Sequence, residues 1–173
     1  MSFQLRPLEP RHLAQFKRDM QAAFQQGAAA AFEAMEMEIL PESDIDRSLS
    51  AKGALAYEAL LDGELIGGAV VVINEETQHN HLDFLYVRGE CCSKGVGLKI
   101  WEMIEKLHPE TKVWETCTPY FEKRNIHFYV NKCGFHIVEY FNKHHRDARE
   151  CEDEQLPDID YFADFFRLEK VMA

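Results

Sequence analysis

The chain has 173 residues, room for one domain around a single sizeable core. At 46% hydrophobic, 28% charged and 12% aromatic it has the composition of an ordinary globular protein. With 30 Asp and Glu against 19 Lys and Arg, the net charge of −11 argues against nucleic-acid and anionic-membrane surfaces, which demand a basic footprint, while suiting a cationic small molecule or plain solubility.

The opening "MSFQLRPLEPRHLAQF" lacks a signal-peptide core, and no apolar run approaches a membrane span. Five cysteines without framework spacing suit a reducing compartment, so a cytoplasmic location without a membrane partner is expected.

In chain order, "FQLRPL" suits a first strand. Pro10 then opens a helical stripe of Leu13, Phe16, Met20 and Phe24, with Gly27 expected to close it. A second helix is expected over Ala28 to Leu40, with Phe32, Met35 and Ile39 inward and Pro41 ending it. "PESDIDRSLS" reads as a short helix or turn capped near Ser43. Two apolar runs flank Asp62-Gly63, a pair suited to a tight hairpin, and "HNHLDFLYV" alternates as the third strand of that meander. The next helix carries Val96, Ile100, Ile104 and Leu107 at core spacing. "KVWETCT" is a strand, Thr118-Pro119 suits a helix start, and "YFEKRNIHFYVNK" is a helix stopping near Cys133-Gly134. Strands "FHIVEYF" and "FADFFRLEKVM" flank a polar, acidic loop from Asn142 to about Asp160. The order predicts one mixed α/β domain over residues 1–173.

The stretch "LYVRGECCSKGVG" poses the functional question. A thiolate metal site at Cys91 and Cys92 is poorly supported: neighbours on extended backbone point apart, and there is no C-x-x-C anywhere. A strand end, then Lys94, Gly95 and Gly97 leading into a helix, instead suits an anion, because free N–H groups at a helix start bind phosphate oxygens. Neither the Walker loop nor the dinucleotide fingerprint is present.

This stretch resembles the acetyl-CoA signature of the GNAT acetyltransferases, with Val87 at the strand end and Gly95 and Gly97 at the two small positions. A second landmark of that family, a later helix with Asn and Tyr followed by Gly-Phe, is matched by Asn125, Tyr129, Gly134 and Phe135. The resemblance covers nearly the whole chain. It departs at Cys92, where the family usually has Gln or Arg, and in the Tyr129-to-Gly134 spacing, which is one residue longer than usual.

The resemblance implies a mixed, mostly antiparallel sheet with helices on both faces, whose fourth strand splays from the next. It implies an N-acetyltransferase that uses acetyl-CoA as co-substrate, with no metal expected. By that reading Leu85, Tyr86 and Val87 pair through their backbones with the pantetheine arm. Cys92, Ser93, Lys94, Gly95, Val96 and Gly97 hold the diphosphate, and Asn125 shares the cofactor face with Tyr129, the candidate acid. For the base, His79, His81 and Asp83 alternate on one strand face, which suits a base acting through water (His81 or Asp83), a polar pocket lining or a metal; Glu115 is a further candidate. His127 reads as structural, and His144 and His145 as solvated. Glu33, Glu36, Glu38 and Glu42 make the acceptor region acidic, which suits a polyamine, aminoglycoside or lysine-like amine as well as a merely solvated face. The expected acceptor is a small amine or a protein lysine or N-terminus, and the expected state a monomer or homodimer. An acyl-CoA-binding sensor without turnover is the alternative.

Overall fold

Asp62 and Gly63 both adopt positive φ, 51° and 83°, the geometry that lets two residues reverse an antiparallel pair. They join β2 (Ala54–Leu61) to β3 (Glu64–Val72), and β4 (His79–Val87) completes the meander. The computed structural model describes residues 2–31, 39–91, 94–146 and 164–172, with the side chains of 28–31 excepted. Within them, β1 (Phe3–Pro7), β5 (Val113–Pro119), β6 (His136–Phe141) and β7 (Phe165–Val171) complete a seven-stranded sheet in the order β1-β2-β3-β4-β5-β7-β6. Only the β4–β5 pair is parallel among these neighbours; the rest are antiparallel.

Helices cover both faces. On one, α1 (Leu13–Ala31) and α2 (Glu42–Leu49) bury Phe16, Met20 and Ile45 against Val70 and Tyr86. On the other, α3 (Val96–Leu107) and α4 (Lys123–His127) cover a core of Ile100, Trp101, Ile104, Trp114, Phe135 and Leu168. The Trp101 and Trp114 rings meet edge to face at 5.2 Å, the arrangement that aromatic quadrupoles favour.

Several expectations need correction. Gly27 does not end the first helix: α1 runs through it to Ala31, since one glycine costs only about 1 kcal/mol and four alanines follow. Ala28–Ala31 therefore belong to α1, and the remainder of the expected second helix falls mostly on 32–38, outside the described residues, as do Phe32, Met35, Glu33, Glu36 and Glu38. The residue before α2 is Pro41, and no side chain caps that helix. Leu107 lies exposed at the end of α3, and Trp101 fills the core in its place. Pro119 does not start a helix. It ends β5 opposite Phe165, and α4 begins at Lys123.

α4 passes directly into a wider π-type turn, Phe128–Cys133, closed by Gly134 at φ 87°. Such a turn absorbs extra chain without breaking the helix, which accounts for the added residue between Tyr129 and Gly134. Of the acidic loop, only its first part is described; there Asn142 and His145 close a tight turn.

Candidate active site

Two features of β4 shape the site. The first is a bulge: Val70 faces Phe84 and Val71 faces Leu82, so Asp83 is an extra residue in the strand. It changes the alternation. Phe84 and Tyr86 pack with α1 and α2, whereas Leu82, Leu85 and Val87 join the opposite core. His81 and Asp83, which precede the change, stay on the α1/α2 face, where Ser48 of α2 reaches Asp83. Bulges commonly re-aim side chains beside active sites in this way.

The second feature is a parting of strands. The β4–β5 ladder pairs His79 with Val113, Asn80 with Trp114 and His81 with Glu115, and then stops. Beyond that apex β4 continues to Val87 and β5 to Pro119, each paired on its far side with β3 and β7. The result is a wedge that opens toward the start of α3.

At the apex the charged side chains are all engaged. His81 Nδ1 lies 2.6 Å from Asp83 Oδ1, and the Ser48 hydroxyl donates to Asp83 Oδ2 at 2.5 Å. Glu115, 5% exposed, has Oε2 at 3.5 Å from His81 Nε2, Oε1 at 3.4 Å from His79 Nε2, and accepts from Arg167 Nη1 at 3.2 Å. Arg167 also binds Glu169, and its Nε donates to Glu139 at 3.1 Å. An Nδ1–H given to Asp83 leaves Nε2 of His81 as the atom that takes up a proton.

On the other face, Tyr129 is buried and its hydroxyl hydrogen-bonds the Thr116 side chain, whose Oγ1 donates to the Leu82 carbonyl at 2.9 Å. Burial pushes the Tyr129 phenol well above the usual tyrosine range, so it stays protonated at any physiological pH. Tyr129 and the His81–Asp83 pair thus flank the wedge from opposite faces. Asn125, half-buried on α4, lies four residues before Tyr129 and so on the same helical side.

At the open end Gly95 stands before α3 with φ 77°, a left-handed conformation that side chains resist, and a Cβ there would have nothing within 4 Å. Among the described residues no side chain caps α3 and its first turn carries no acid, which leaves its leading N–H groups directed at the loop. Val96 is buried, which leaves only its backbone for a ligand, and Lys94 is exposed. Gly97 has a second reason to be small: a Cβ would come 3.3 Å from the Phe128 ring. Cys92 and Ser93 lie outside the described residues. Leu85, Tyr86 and Val87 line the parted stretch of β4, the Tyr86 ring itself packing edge to face on Phe16.

Other candidates fall elsewhere. His127 contacts Asn131 at 2.8 Å on the exposed side of α4. His145 is not simply solvated: it pairs with Glu139 at 2.7 Å and stacks on Phe141, because the 142–145 turn folds back over β6. His79, Glu115 and Glu169 bring ligand atoms within 4.8 Å of one another, a different trio from the one that H-x-H-x-D suggests. Arg167 already bonds both of its carboxylates. Cys91, Cys117 and Cys133 form no disulfide among the described residues. Sequence reasoning missed Ser48, Thr116 and Arg167, whose roles come from neighbouring elements; the one local signal was the Thr116/Thr118 alternation along β5.

Comparison with known proteins identifies the family and the fold. Residues 15–135 match the model of the acetyltransferase (GNAT) family. An uncharacterised protein of Bacillus subtilis (strain 168), YrkN, is 48% identical over 167 residues, covering 92% of this chain and 88% of that protein. The PaiA N-acetyltransferase of Thermoplasma acidophilum, solved with coenzyme A, superposes with a TM-score of 0.71 at 21% identity over 99% of this chain and 100% of that one. The spermidine N-acetyltransferase of Vibrio cholerae, solved with CoA and spermine, gives 0.68 at 14% identity over 98% and 95%. The ribosomal-protein-S18-alanine N-acetyltransferase of Escherichia coli gives 0.67 at 12% over 99% and 96%. Among the described residues no helix is long and apolar enough to cross a membrane.

Proposed function

Because this chain belongs to the GNAT acetyltransferase family, we propose that it moves an acetyl group from acetyl-CoA to a primary amine, the whole of 1–173 acting as one acyltransferase domain. The observation that carries the reading is the wedge between β4 and β5, closed at His81–Glu115 and open toward the uncapped start of α3. The residues fit such a co-substrate. The N–H groups at the start of α3 suit a diphosphate, with Lys94 adding charge, and Gly95 leaves the approach clear. The backbones of Leu85, Tyr86 and Val87 offer a strand edge to the amide-bearing pantetheine arm, and Asn125 sits on the same side as Tyr129. When bound, acetyl-CoA supplies an acetyl group activated as a thioester.

The protein's own groups divide the proton work. An ammonium has no lone pair, so the acceptor must lose a proton before attack; His81, held by Asp83, takes it on the α1/α2 face, directly or through water. Tyr129 holds a proton on the opposite face for the departing sulfur, with Thr116 orienting its hydroxyl. Ser48 and Asp83 fix the imidazole and Arg167 holds Glu115 in place. The structural relatives, all below 25% identity, support the fold alone; a polyamine, as bound by one of them, is one acceptor among those the acidic composition suits.

The test is CoA release from acetyl-CoA with a panel of amines. Turnover that falls roughly 100-fold in Asp83→Asn supports the assignment. CoA binding without release for any amine would favour a sensor, and absence of CoA binding would remove the reading altogether.

A further inference from the structure

Glu122 lies three residues past the end of β5 and directly before α4, yet its side chain does not cap that helix. It turns instead toward α1: a Cβ added to Gly27 would sit 3.4 Å from both of its carboxylate oxygens. One residue earlier on α1, the Gln26 amide oxygen would meet a Cβ on Gly89 at 2.5 Å. The same turn of α1 thus touches the segments that follow β4 and β5, and it spans the open end of the wedge on the face that carries His81 and Asp83. Glu122 lies at that end, half-buried.

Most other carboxylates packed into this fold are compensated. Glu58 accepts from Arg6 at 2.8 Å and pairs with His12 at 2.8 Å; Glu115 has Arg167, and Glu105 has Lys170 at 2.9 Å. The Glu122 carboxylate makes no hydrogen bond or ion pair among the described residues. Its burial raises its proton affinity, which the nearby Arg124 charge only partly opposes. Partial burial with no partner among the described residues disfavours the ionised carboxylate, a cost that a cationic ligand would relieve.

Resting on the acetyltransferase reading, we infer that Glu122 is the acceptor's counter-charge, receiving a second cationic nitrogen distinct from the one that is acetylated. β5 runs four residues from Glu115 at the apex to Pro119, about 13 Å at strand rise, before the chain reaches Glu122. A nitrogen seated at Glu122 is therefore not the nitrogen whose proton reaches His81. The acceptor class is an extended di- or polyamine, with an apolar stem between its charges.

The test compares 1,8-diaminooctane with 8-amino-1-octanol, equal in length and differing in the distal charge. CoA release is measured with wild type, Glu122→Gln and Glu122→Asp, alongside CoA affinity and melting curves. Wild type is expected to favour the diamine by roughly 10-fold or more in kcat/KM, through KM. That ratio should fall to about 1 in Glu122→Gln, be partly restored in Glu122→Asp, and leave CoA affinity intact. Equal use of both amines by wild type, or a ratio preserved in Glu122→Gln, overturns the inference and leaves acetyl transfer standing. With CoA bound but neither amine turned over, calorimetry with the diamine decides: binding weakened about 10-fold in Glu122→Gln upholds it, and no binding refutes it. Failure to bind CoA defeats the underlying reading, and this inference with it.

Discussion

The apex and the mouth of the β4–β5 wedge are built on opposite principles. At the apex, Asp83 has two partners, Glu115 is shared by Arg167 and two histidines, and Tyr129 is tied through Thr116 to the backbone. At the mouth, among the described residues, the start of α3 has no cap, Gly95 has nothing near its Cβ position, and Glu122 has no ion pair. Satisfied groups are fixed in position, as proton transfer requires; unsatisfied ones hold a binding capacity that the fold itself leaves unused.

The sharpest way to break this contrast is Gly95→Asp. The structure leaves room for the side chain, so its effect comes from a negative charge beside the anion site and from strained φ, not from a clash. CoA affinity should fall on the order of 100-fold, while the strained φ lowers the melting temperature by only a few degrees. Tight binding in that variant would separate α3 from the diphosphate. Next is Tyr129→Phe, expected to lower kcat roughly 100-fold with CoA affinity nearly unchanged, since only a proton donor is removed. An unaltered rate would reduce Tyr129 to packing.

Ser48→Ala probes the apex more gently. It removes one hydrogen bond to a carboxylate, about 1.5 kcal/mol, or roughly 10-fold in kcat, and should alter the pH–rate profile. A simple loss of stability with an unmoved profile would make Ser48 structural. The smallest effect belongs to Glu122→Gln in the absence of ligand. Burial raises the folded-state pKa of Glu122 above its ordinary 4.5, so below that value both folded and unfolded forms are protonated and no penalty exists. As pH rises, the unfolded chain ionises first and the native state loses ground. The variant should therefore gain nothing near pH 4 and melt at a higher temperature than wild type near neutrality. A gain independent of pH would point to packing.

Local chemistry made much of the sheet legible. Asp62-Gly63 specified its hairpin, the HNHLDFLYV alternation specified β4, and Gly95 and Gly97 marked the start of α3. What stayed hidden depends on long-range partners. Gly27 resembles a helix end, yet packs against Glu122, 95 positions away by subtraction of their numbers. Strict alternation brought His81 and Asp83 together, but the bulge that returns Phe84 to their face leaves no local mark. Pro119 sits at the first position of a plausible helix, and only its pairing with Phe165 shows it to be the last residue of a strand. Ser48 could not be singled out, because its role exists only once α2 lies over β4.

The most direct measurement is amide hydrogen exchange with and without CoA. The account predicts slowed exchange at Val96, Gly97 and Leu98 and along Leu85–Val87, with His79–His81, already paired to β5, unchanged. Protection confined to other segments, or none at the start of α3 at saturating CoA, would contradict it.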